Sequence, residues 1–263
     1  MTAAIQSAHP ERTILAVRHH TETLFSFRVS RPAGFRFRAG EFVMLGLPGP
    51  EGRPILRAYS IASAPWEEFL EFYSIKVPDG PLTSRLSKVA PGDEILLKSK
   101  TTGTLVADAL APGGTLWLVA TGTGFAPFAS IIRDPDTYER FDHVVVTHTC
   151  RTAAELSYGE DMVRDTLAHP LFGEIAAGRL TAISAVTREP TAGLAGRITD
   201  LARSGALFDA ARRPRWSPER DRIMVCGSTD MIKDLRADVE AAGFAEGSNA
   251  APGTFVVEKA FVG

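Results

Sequence analysis

The chain has 263 residues, 44% of them hydrophobic, enough for two cores of ordinary size, and its formal net charge of −2 excludes the broad basic surface of a nucleic-acid binder. No apolar run approaches the roughly 18 residues that a membrane span needs, and no signal-peptide core is present, so no membrane association is expected. The two cysteines, Cys150 and Cys226, each follow an apolar run without close spacing, which points to a reducing, cytoplasmic setting rather than to a disulfide framework.

Residues 1–10 read as a loose lead-in. In 24–30, Phe25, Phe27 and Val29 alternate with Ser26, Arg28 and Ser30, the period of a half-buried strand. Further strands are predicted at 41–47, 57–62, 69–77 and 94–99, separated by Pro- and Gly-rich turns, with one short helical stretch at 82–88. Turns this dense predict a small antiparallel barrel over residues 1–102. The pattern then changes. Nearly continuous apolar runs at 115–120, 143–148, 180–186 and 222–226 alternate with helical stretches at 126–133, 157–167, 199–204 and 230–242. Residues 103–263 are therefore expected to form an α/β domain with a parallel sheet, whose ligands bind at the carboxyl ends of the strands. Arg212-Arg213-Pro214-Arg215 reads as a solvated loop.

Thr121-Gly122-Thr123-Gly124-Phe125-Ala126-Pro127 follows the first of those runs and reads as strand, tight turn, helix, with Pro127 in the helix's first turn. Such a turn presents backbone N–H groups to a phosphate or a flat cofactor. Phe125 and Phe128 are bulky neighbours for it and leave the local approach geometry open. The chain lacks a G-x-x-x-x-G-K-[ST] loop, a G-x-S-x-G elbow and an H-E-x-x-H pair, and its six histidines show no ligand spacing, so hydrolase, kinase and metal chemistry are not expected. Iron–sulfur cysteine clusters are missing too, so an electron leaving this chain must pass to a separate carrier.

Arg57-Ala58-Tyr59-Ser60, Gly80-Pro81-Leu82-Thr83-Ser84, the Gly122 turn and Val225-Cys226-Gly227-Ser228 occur in one order across both halves. In that order and placement the chain resembles the ferredoxin–NADP reductase family, most nearly its bacterial ferredoxin/flavodoxin–NADP reductases, from about residue 12 onward. The resemblance implies an enzyme with FAD on the barrel and NADP on the second domain, moving hydride between NADP(H) and flavin and single electrons to or from ferredoxin or flavodoxin. A monomer is expected. Two rivals stay open: a flavin reductase acting on small acceptors, and a non-enzymatic nucleotide-binding module.

The resemblance also implies roles. Arg57 would pair with a flavin-side phosphate, Tyr59 would stack on the isoalloxazine beside Ala58, and Ser60 would donate to flavin N5. Tyr73, Ser74, Ile75 and Lys76, with Pro81, Leu82 and Thr83, would wrap the rest of the FAD, a plain strand and helix cap being the alternative. Nicotinamide would lie over Thr123 and Cys226, while Cys150 is read as filler. Arg151, Thr187, Arg188 and Arg197 match positions that grip the 2′-phosphate, and Asp230 lies near the same nucleotide or caps its helix. Ala260 and Phe261 would return to the flavin, Phe261 covering its face or else plugging the sheet edge. Ser60, Cys226 and Phe261 are the candidate catalytic residues.

Overall fold

The computed structural model describes residues 11–49 and 53–260. The first half contributes β1 (Glu11–His19), β2 (Leu24–Ser30), β3 (Phe42–Pro48), β4 (Pro54–Ser60), β5 (Phe69–Ile75) and β6 (Glu94–Thr102), in the sheet order β4-β3-β6-β1-β2-β5. Every pair in it is antiparallel. Phe25, Phe27 and Val29 of β2 enter one core with Leu45, Phe72 and Leu97, each contributing about 1.5–3 kcal/mol of burial free energy. The sheet curls until its edges meet: Ala62 N–H donates to Glu71 O at 2.8 Å, and the Tyr59 and Ser74 hydroxyls bond at 3.1 Å.

β1 was not among the expected strands. Its pairing with β2 shifts register between Ile14 and Ala16, so the inside–outside alternation that marks a strand is broken there, with Leu15 and Ala16 both exposed after the buried Ile14.

The second sheet is parallel throughout and runs β10-β9-β8-β7-β11-β12. Its strands are β7 (Thr115–Thr121), β8 (His143–Cys150), β9 (Leu180–Val186), β10 (Leu194–Ala195), β11 (Asp221–Gly227) and β12 (Phe255–Lys259). β11 is buried along its whole length, and β7 up to its last residue. Of the helices, α2 (Ala126–Ile132), α4 (Ser157–Leu167), α6 (Ile198–Ser204) and α8 (Thr229–Ala241) match the expected ones. α3 (Pro135–Arg140), α5 (Gly173–Arg179) and α7 (Ala206–Ala211) were not expected. From β7 the chain crosses to β8 on one side and later returns to β11 on the other, which opens a crevice at the carboxyl ends of β7 and β11.

Polar contacts fasten the two domains beside that crevice. Ser130 Oγ donates to Ser63 O at 2.7 Å, Trp66 Nε1 to Arg133 O at 2.9 Å, and Tyr158 Oη to Glu71 Oε1 at 3.1 Å. Arg133 pairs with Glu67 at 3.1 Å, both side chains being almost wholly buried. No helix among the described residues is long and apolar enough to cross a membrane.

Candidate functional site

Ala58, Tyr59 and Ser60 at the end of β4 and Tyr73 and Ser74 of β5 line a small cleft with Thr123, Ala126 and Ala260. The single-turn helix α1 (Thr83–Leu86) lies beyond β5. Three distant parts of the chain thus meet: the barrel rim, the turn after β7 and the segment after β12. Ala260 is fixed there by its N–H, which donates to Gly227 O at 3.0 Å. Phe261 lies outside the described residues.

The turn owes its shape to two glycines. Gly122 has a positive φ of 53°, and a β-carbon on Gly124 would overlap the Cys226 carbonyl, so only glycine lets the turn lie against β11. Phe125 and Phe128 are buried in the core, which leaves Thr123 partly exposed at the cleft. Cys226 is also buried, and burial, reinforced by Glu258, holds its thiol well above the ordinary range. It is a neutral thiol beneath the turn, does not itself line the cleft, and is not a nucleophile.

On the barrel side, the Tyr59 ring meets Phe27 and Phe72 edge-on at 6.2 Å, and its hydroxyl holds Ser74. Tyr73 stacks on Tyr158 at 4.0 Å, and its buried hydroxyl has no partner among the described residues. A buried phenol beside a cleft without a partner fits a site whose remaining polar group comes from a bound molecule. Arg57 donates to Leu56 O at 2.9 Å and pairs with no carboxylate among the described residues, leaving charge for an anion. Ile75 is partly buried, while Lys76 and Pro81 are exposed and Leu82 is buried. The expected Thr83 hydroxyl contact needs correcting: the side chain is 1% exposed and its Oγ1 accepts from Val77 N–H at 3.2 Å.

At the far end of the second sheet, Thr187 N–H donates to Cys150 O at 3.0 Å, Arg188 N–H to Arg151 O at 2.9 Å and Gly196 N–H to Val186 O at 2.9 Å. These bonds gather the carboxyl ends of β8 and β9 and the start of α6, bringing Arg151, Thr187, Arg188 and Arg197 to one exposed margin. None of the three arginines pairs with a carboxylate among the described residues. Asp230 is exposed in the first turn of α8 and does not cap it; Ser228 Oγ does, accepting from Met231 N–H at 3.3 Å.

Three further residues escaped sequence reasoning. Glu258 is largely buried, accepts from Thr104 N–H at 3.2 Å and has its other carboxylate oxygen without a partner among the described residues. Burial pushes it up to about 7, the Thr104 bond opposing. Tyr158 backs Tyr73, and His148 is buried behind the Gly122 turn. The available signal was a polar residue inside an apolar run, which marks burial but not a partner.

Two family models match: an oxidoreductase FAD-binding domain over residues 13–105 and an oxidoreductase NAD-binding domain over 118–237. A flavodoxin/ferredoxin–NADP reductase of Rhodobacter capsulatus is 54% identical over 252 residues, covering 96% of this chain and 93% of the relative. The chain belongs to the ferredoxin/flavodoxin–NADP reductase family. Ferredoxin–NADP reductase A of Sorangium cellulosum is 49% identical over 97% of this chain and 91% of its own. Among solved structures, a ferredoxin NADP+ reductase of Neisseria gonorrhoeae with bound FAD and NADP superposes with a TM-score of 0.85, at 33% identity, over 96% of this chain and 98% of that one. Membership in the family accounts for both halves of the architecture, the antiparallel barrel and the parallel α/β sheet.

Proposed function

We propose that this chain is an FAD-dependent oxidoreductase that exchanges hydride with NADP(H) and single electrons with a ferredoxin or flavodoxin. The observation that carries the reading is the convergence of Tyr59 and Ser60 from the barrel with Thr123 and Ala260 from the second domain on one cleft. When bound there, flavin supplies the link between two-electron and one-electron transfer.

The chain's own residues have distinct tasks in this reading. Arg57 neutralises a flavin-side phosphate, Tyr59 packs against the ring system, and Ser60 holds its hydroxyl proton toward N5. Ala58, Tyr73, Ser74, Ile75, Lys76, Pro81, Leu82 and the Thr83 backbone line the remainder of the FAD. Thr123 and the neutral Cys226 bound the nicotinamide side, where a small neutral side chain admits close ring approach. Arg151, Thr187, Arg188 and Arg197 hold the 2′-phosphate end, with Asp230 near the same nucleotide. In this reading the barrel's share ends at residue 102 and the second domain's begins at 103, with the tail from Ala260 returning to the flavin.

The test is the visible spectrum of the purified protein before and after anaerobic NADPH, followed by addition of a reduced or oxidised carrier. A yellow protein that NADPH bleaches and a carrier reoxidises is the expected result. A protein that NADPH bleaches but no ferredoxin or flavodoxin reoxidises faster than free flavin does would replace the reading with a small-acceptor flavin reductase.

A further inference from the structure

His148 stands 3.0 Å through Nε2 from the carbonyl oxygen of Gly122. A carbonyl only accepts, so Nε2 carries the ring's proton and Nδ1 is left as a bare acceptor. That nitrogen has no partner among the described residues. Gly159 of α4 lies against it so closely that a β-carbon there would stand 2.5 Å from Nδ1. Burial drives the ring's pKa down to about 4, the Gly122 bond opposing, so the imidazole is neutral at ordinary pH. An apolar ring of the same size would avoid leaving a nitrogen unpaired. What the imidazole adds is a donor aimed at the turn.

The turn needs such an anchor. Gly122 has φ of 53°, and a β-carbon on it would meet nothing within 4 Å, so packing does not restrain it on its outward side. On the inner side, Phe125 packs on the His148 ring with centroids 4.6 Å apart, and both border a cavity of about 530 Å³ between α4 and β9. Gly124 is wedged against the Cys226 carbonyl of β11, so the Gly122 end is the part of the turn that packing leaves unheld. Cys150 extends the anchor: its Sγ lies 3.2 Å from His148 Nε2 and its thiol donates to Glu155 O at 3.7 Å. Glu155 in turn accepts the backbone N–H of Arg151 at 2.8 Å.

We propose that His148 is a positioning residue for hydride transfer, holding the Gly122–Phe125 turn through the Gly122 carbonyl at the height where nicotinamide meets flavin. The inference rests on the function proposed above, and it assigns His148 no contact with either cofactor. Losing the donor lets the turn relax toward the cavity while the arginine margin, tied by its own backbone bonds, stays in place.

The experiment uses the FAD-loaded protein with His148→Phe, which keeps a ring and loses the donor, and His148→Gln, whose amide restores one. Four quantities are compared: the amide NMR shifts of residues 122–125 without nucleotide, affinity for 2′,5′-ADP, the rate of flavin reduction by NADPH in stopped flow, and FAD retention. His148→Phe is expected to shift those amides and slow reduction about tenfold while keeping FAD and binding 2′,5′-ADP within about twofold; His148→Gln recovers most of the rate. Parental amide shifts and rate in His148→Phe overturn the proposal, as does a matched loss of 2′,5′-ADP binding and rate that His148→Gln does not rescue. Should His148→Phe fail to fold, Gly159→Ala presses on the ring from the opposite side and is expected to move the same amides. Should NADPH fail to reduce the parent, the proposed function falls, and the amide shifts alone decide whether His148 holds the turn.

Discussion

Tyr59 Oη and Ser74 Oγ lie 3.1 Å apart and join the two edge strands of the barrel, β4 and β5, at the wall of the interdomain cleft. Fifteen residues separate them in the chain, and both are buried. The bond sets the height of the tyrosine ring between Phe27 and Phe72. Tyr59→Phe removes it and strands the Ser74 hydroxyl, at a cost of about 1–3 kcal/mol. Urea unfolding is expected to shift by that amount and FAD to dissociate faster; Tyr59→Phe with parental stability and retention refutes the role.

Ser60 is partly exposed at the same cleft, and its hydroxyl makes no hydrogen bond to another described residue. Ser60→Ala should therefore leave the fold intact while slowing flavin reduction about tenfold, the size of one lost hydrogen bond. An unchanged rate in stopped flow would remove Ser60 from the chemistry.

Arg188 and Arg197 stand at the margin formed by the ends of β9 and β10, free of carboxylate partners among the described residues. A charge-assisted contact to a 2′-phosphate contributes about 1.5–3 kcal/mol. Replacing either by Ala is expected to raise KM for NADPH at least tenfold and leave NADH kinetics nearly unchanged. Equal losses with both nucleotides would move the phosphate site elsewhere.

Glu258 gives the protein a pH signature. Burial raises it to about 7 against an ordinary value of 4.5. An acid whose folded pKa is raised contributes stability that is present in full below 4.5 and lost as pH climbs through about 7, at up to about 1.4 kcal/mol per pH unit. Glu258→Gln, whose amide oxygen can still accept from Thr104, should gain on the parent between about pH 4.5 and about pH 7 and level off above that in urea titrations. Parallel stability curves would show that Glu258 ionises without penalty.

Ala260 sits in the cleft, held by Gly227 O at 3.0 Å. Deleting residues 260–263 is expected to alter the flavin absorption spectrum and NADP affinity with little loss of fold, because β12 ends at Lys259. A truncated protein with the parent's spectrum, FAD affinity and NADPH kinetics would make the tail structural and end its proposed return to the flavin.

The sequence by itself determined what depends on near neighbours. The alternation of Phe25, Phe27 and Val29 foretold β2, the helical stretch at 230–242 foretold α8, and Gly122 and Gly124 marked a turn that their backbone geometry demands. The R-A-Y-S and G-T-G segments are legible for the same reason: each is a few consecutive residues whose types suit one job. The tertiary structure alone decided what depends on pairing. β1 was hidden because a register shift against β2 breaks its pattern, and Thr83 turned inward because Val77, six residues away, claims its hydroxyl. His148 and Glu258 drew little notice in the chain because burial and a partner, not residue type, give them their character: one faces Gly122 across β7 and β8, the other lies beside Cys226 across β11 and β12. Strand order and register place those neighbours, and both arise from packing between segments that lie 26 and 32 residues apart or more, beyond the reach of any local pattern.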